Sequence, residues 1–136
     1  MNERVVWVDD DTELKPFQEA LRDAGLKLSF TPSIDEAVKR TRRTKDDDLA
    51  LLIWDASILP HGRDFAPCVE EDDVLGGISF FNWFRSAHPR IPTLLFTNFS
   101  TMVPERSRPD RKEFAASKGE YLLPQDFASF VRGLLF

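Results

Sequence analysis

Three consecutive aspartates, Asp9, Asp10 and Asp11, follow the apolar run "VVWV" at residues 5–8. Carboxylates stacked at one strand end repel one another unless a cation, a helix N-terminus or solvent absorbs the charge. Two later apolar runs also end in oxygen-bearing side chains: "LLIWD" closes on Asp55, and "LLFTN" on Thr97 and Asn98. If these ends meet, Asp9, Asp10 and Asp55 would form a hard-oxygen set suited to a divalent cation, with Mg2+ the expected ion. The plainer alternative is a solvated turn whose aspartates cap the next helix. What the other elements place beside the carboxylates decides between the two.

Val5–Val8, Leu49–Trp54 and Ile91–Phe96 are short continuous apolar runs, the signature of strands buried on both faces. Leu26, Leu28 and Phe30 alternate with polar residues, as an outer strand would, and Tyr121–Leu123 reads as the last strand. Between them lie helical patterns. Thr12 can cap a helix carrying Leu14, Phe17, Leu21 and Ala24, with Pro16 in its first turn and Gly25 at its end. Ser33 and Glu36 have capping-box spacing ahead of Ile34, Ala37 and Val38. Gly76 and Gly77 precede a helix with Ile78, Phe81 and Phe84 inward, and a weak helix is expected near residues 111–117. Asp126 can cap a final helix with Phe127, Phe130, Val131 and Leu134 on one stripe. Strand–helix alternation predicts an α/β fold, a doubly wound parallel sheet with helices on both faces. Ligands of such sheets sit outside the carboxyl ends of the strands, where Asp9, Asp10, Asp55 and Thr97 fall.

At 136 residues the chain fits one domain, residues 1–136, with an extended polar loop at about 56–75. Its composition, 42% hydrophobic and 30% charged, is ordinary for a packed soluble protein and argues against a membrane protein. With no signal-peptide pattern, the expected location is cytoplasmic. A single cysteine, Cys68, excludes an intrachain disulfide and a thiolate zinc site. The net charge of −5 disfavours nucleic acid as a partner. The basic run from Lys39 to Lys45 reads as a solvated helix end, and His88 as an exposed one.

From Arg4 to Leu135 the chain resembles the receiver domains of two-component response regulators, which have five strands in the flavodoxin-like order 2-1-3-4-5. The resemblance implies that Asp9 and Asp10 hold Mg2+, with Asp55 accepting a phosphoryl group from a histidine kinase or phosphotransfer protein. It implies that Thr97 contacts that group and that Tyr121, in the fifth strand, is a signalling switch. It further implies a docking or homodimer face built by the fourth helix, fifth strand and fifth helix. The expected function is phosphoacceptance with at most slow autodephosphorylation, not turnover of a substrate.

Two departures from the family pattern carry expectations of their own. The family's lysine ends the fifth strand, whereas "YLLPQDF" offers Leu123 or Pro124 there. Lys118 precedes that expected strand, and crossing residues 119–123 takes roughly 13–17 Å at ~3.3 Å per residue, to the wrong rim. Weakened switching follows, or a pseudo-receiver that only binds partners. His61 and Arg63, in the extended loop, are candidate substitutes for the lysine, although solvated loop residues are the simpler reading. Haloacid-dehalogenase-like phosphatases supply a fainter echo in Asp9, Asp11 and "LLFTN". Glu13 breaks that motif, and no acidic pair follows Thr97 on a further strand.

Overall fold

The computed structural model describes residues 3–45, 47–57, 76–121 and 123–136. Five strands alternate with helices in the order β1 (Arg4–Val8), α1 (Lys15–Asp23), β2 (Lys27–Thr31), α2 (Ile34–Thr41), β3 (Leu51–Trp54), α3 (Gly76–Ala87), β4 (Thr93–Thr97), α4 (Met102–Arg106), β5 (Glu113–Ser117) and α5 (Pro124–Leu135). The five strands pair in parallel throughout, and the sheet order is β2-β1-β3-β4-β5, as the sequence predicts.

Continuous apolar runs fill both faces of this sheet. Side chains alternate across a strand, so Val5 and Trp7 join Leu51, Ile53, Leu94 and Phe96 beneath α1 and α5. Val6 and Val8 join Leu52, Trp54 and Leu95 beneath α2 and α3. The register Val8↔Trp54 brings Asp9 and Asp55 out at the same end of neighbouring strands.

Ser33 caps α2 as expected, its Oγ accepting from Glu36 N at 3.2 Å. Two other caps differ. Helix α1 begins at Lys15, after Leu14, without a side-chain cap, and α5 begins at Pro124, leaving Asp126 inside its first turn. In both cases proline lies at the first or second helical position, where its fixed φ and missing N–H suit it. His88 is buried rather than exposed, with Nε2 2.9 Å from the Thr41 carbonyl oxygen and its ring 4.9 Å from that of Phe84.

The largest correction concerns the fifth strand, which is Glu113–Ser117 and not Tyr121–Leu123. Its sequence, "EFAAS", carries two alanines that favour helix in isolation. The parallel ladder with β4, from Thr93↔Glu113 to Thr97↔Ser117, overrides that preference. Lys112 starts the strand from a left-handed turn at φ 56°. Lys118 therefore stands at the carboxyl end of β5, opening a short 3-10 turn at Lys118–Glu120.

Candidate functional site

Four strand ends converge. Asp9 follows β1, Asp55 follows β3, Thr97 ends β4 and Lys118 follows β5. The Lys118 ammonium sits among the carboxylates, with Nζ 2.9 Å from Asp9 Oδ2, 2.9 Å from Asp55 Oδ2 and 3.4 Å from Asp11 Oδ2. Contacts to Asp55 and Asp11 have hydrogen-bond geometry; that to Asp9 is an ion pair only, and Asp9 Oδ2 lacks a well-aligned donor. The expectation that the rim lacks its lysine is thus overturned: the strand it rested on was misplaced by several residues.

Local hydrogen bonds fix the acids. Asp11 N donates to Asp9 Oδ1 at 3.0 Å, and Glu13 N to Asp11 Oδ1 at 2.9 Å. Ser57 donates twice to Asp55, from Oγ to Oδ2 at 3.0 Å and from its backbone N to Oδ1 at 3.3 Å. Asp55 Oδ2 thus carries two strong partners and Oδ1 one long one. Thr97 is buried, its hydroxyl accepting from Phe99 N at 3.1 Å. Asp10 is exposed beside Asp9.

Among the described residues, charge at the rim is not balanced: Asp9, Asp11 and Asp55 outnumber the single ammonium. Burial pushes the Asp9 carboxyl up to about 6; Lys118 opposes this and Asp55 adds to it. For Lys118, burial acts downward, yet the Asp9 charge and the Asp55 hydrogen bond outweigh it and raise the group above its ordinary value. A carboxylate whose charge is penalised by burial, with an oxygen short of a donor, is chemistry that a further cation would relieve. The donor set therefore fits a hard divalent ion. Among the described residues no three metal-ligating side chains already surround one point; Lys118 Nζ lies between Asp9 and Asp55.

Solved structures of similar shape cover nearly the whole chain. A CheY-like response regulator receiver domain protein from Methanospirillum hungatei matches with a TM-score of 0.70 at 14% identity, over 99% of this chain and 94% of that one. The response regulator TrrA from Thermotoga maritima, solved in complex with Mg2+-BeF, matches with 0.67 at 18% identity, over 99% and 100%. The receiver domain of NtrX from Brucella abortus matches with 0.66 at 16% identity, over 96% and 97%. The fold is that of a receiver domain. No family model matches the sequence, and a comparison with curated proteins gives no match.

Set against this receiver fold, Asp9, Asp55 and Thr97 lie on the rim where the sequence puts them, with Asp10 at its exposed edge. Tyr121 does not lie in a strand. It follows the 3-10 turn and stacks on Phe130, with ring centroids 5.2 Å apart. His61, Arg63, Cys68 and most of the extended loop lie outside the described residues. Sequence reasoning missed Lys118, Asp11 and Ser57 as site residues. Asp11 had a signal in its run of acids, and Ser57 in standing two residues after Asp55, within reach of an Asx-type turn.

Proposed function

We propose that this domain accepts a phosphoryl group on Asp55 from a histidine kinase or phosphotransfer protein, in a Mg2+-dependent step of a cytoplasmic two-component pathway. The observation that carries the reading is Lys118 Nζ held 2.9 Å from both Asp55 Oδ2 and Asp9 Oδ2 at the carboxyl ends of the strands. An acceptor carboxylate must meet an incoming phosphoryl dianion, and the repulsion between them is the barrier to be lowered.

Asp55 Oδ1, the less engaged oxygen, is the nucleophile. It attacks phosphorus in line with the bond to the donor; that bond breaks, and its electron pair leaves with the donor atom. Oδ2 stays anchored by Lys118 and Ser57, which fixes the attack direction. Lys118 is placed to offset charge on the transferred group, and Thr97, buried at the end of β4, offers a hydroxyl from the neighbouring strand. Asp9, Asp10 and Asp55 would hold Mg2+, whose double charge neutralises phosphoryl oxygens during transfer. The earlier ground for weakened switching, an absent lysine, is gone. A protein-docking role for the face formed by α4, β5 and α5 belongs to the same reading.

Intact-mass measurement after incubation with acetyl phosphate and Mg2+ tests the reading. A phosphoryl adduct is expected, absent in Asp55→Asn and formed about tenfold or more slowly in Lys118→Met, the loss of one charge-assisted contact. No adduct at any donor concentration would leave a pseudo-receiver that acts only by binding partners.

A further inference from the structure

Helix α4 ends after five residues. The chain then makes a tight turn in which Arg108 and Glu113 exchange two backbone hydrogen bonds, of 2.8 and 3.1 Å, and Arg111 N donates to Arg108 O at 2.9 Å. Between this turn, α4 and α3 lies a cleft of about 490 Å³ over β3, β4 and β5. Four arginines line it: Arg85, Arg106, Arg108 and Arg111.

Their states differ. Arg85 is ion-paired with Glu113 through Nε, without hydrogen-bond geometry there, and donates to Thr93 Oγ1 and the carbonyls of His88 and Ile91. The Arg106 guanidinium lies 6.0 Å from the centroid of the Trp54 ring, which stacks on Phe81 at 4.5 Å. Arg106, Arg108 and Arg111 form no ion pair or side-chain hydrogen bond with any described residue. Once Glu113 is committed to Arg85, these three cations face only Glu105 among the described residues of the cleft lining. This local positive excess stands out in a chain of net charge −5.

We propose that the cleft binds a small polyanion carrying at least two oxyanion groups, of the pyrophosphate type. Guanidinium forks match phosphate and carboxylate oxygens in pairs. The backbone turn holds Arg108 and Arg111 at a fixed three-residue spacing, so binding orders their side chains but not the turn itself. A concave site of this volume suits a small ligand rather than a protein surface. The cleft lies apart from the carboxylate rim, and occupancy does not require phosphorylation of Asp55. It does reach Trp54, one residue before the acceptor, through Arg106.

The test is calorimetric titration with inorganic pyrophosphate at low salt, in buffer stripped of divalent metal, with tryptophan emission followed in parallel. Saturable binding with a dissociation constant below about 1 mM is expected, with a change in emission as Arg106 leaves the Trp54 ring. Arg108→Ala/Arg111→Ala, at exposed positions, is expected to weaken binding about tenfold or more while leaving thermal unfolding unchanged. Asp55→Asn is expected to bind like the parent. Absence of saturable binding, equal affinity in the double variant, or loss of binding in Asp55→Asn would each overturn the proposal. So would tighter binding of a glutamate-rich peptide with the same arginine dependence, which would assign the cleft to a protein partner.

Discussion

Asp9 is fully buried one bond beyond β1, and its carboxyl titrates at about 6 instead of 3.8 because burial penalises its charged form more than Lys118 favours it. A carboxylate whose folded value is raised binds its proton more tightly in the folded state. Between pH 3.8 and about 6 the folded protein therefore holds more protons than the unfolded one, and stability falls as pH rises. Above about 6 the loss is complete, on the order of 3 kcal/mol. Asp9→Asn is neutral at every pH and escapes it. In metal-free buffer the two proteins are expected to unfold at similar denaturant concentrations near pH 4. By pH 7 the variant is expected to be the more stable, by about that amount. Parallel curves from pH 4 to 8 would show that the acid is not strained by its burial.

The elements that hold the site differ in how plainly the sequence announced them. Strands β1, β3 and β4 were legible because a buried parallel strand needs an uninterrupted apolar run, and each run stops at a polar residue of the rim. Strand β5 was not, since it is an edge strand built around Ala115 and Ala116, and pairing with β4 is what makes it extended. The apolar Tyr121 and Leu123 mimicked the missing strand, and that displacement carried Lys118 to the wrong rim. Helix α3 illustrates a contact that no sequence pattern displays. A Cβ at Gly77 would lie 1.9 Å from the Asp55 carbonyl oxygen, so the helix start is packed directly on the Asp55 backbone. Gly77→Ala is expected to destabilise the fold by about 1–3 kcal/mol or more and to slow phosphoryl transfer by shifting Asp55. Gly133 in α5 has open space around its Cβ position, so Gly133→Ala is expected to be neutral or to stabilise by about 0.5–1 kcal/mol. Comparable unfolding midpoints for the two variants would refute the packing argument.

Across the whole molecule, the carboxylate rim concentrates negative charge in a chain that is already acidic, with three acids around one ammonium and Asp10 exposed beside them. An ion that binds only the folded state stabilises it in proportion to the logarithm of its concentration, by about 2.7 kcal/mol at a hundredfold excess over its dissociation constant. Millimolar Mg2+ is therefore expected to raise the thermal midpoint by several degrees, while Na+ at the same ionic strength does not. Binding must displace the proton on Asp9, so the effect is expected to be smaller at pH 5 than at pH 7.5. Trp54 adjoins Asp55 and Trp7 lies two residues before Asp9; both are buried, so their emission should report the same event. Asp10→Ala removes an exposed carboxylate without opening the core, and is expected to weaken the Mg2+ response while leaving metal-free stability within about 0.5 kcal/mol of the parent. A midpoint and emission unmoved by Mg2+, or moved equally in Asp10→Ala, would mean that Lys118 alone balances the rim and that these carboxylates do not form a metal site.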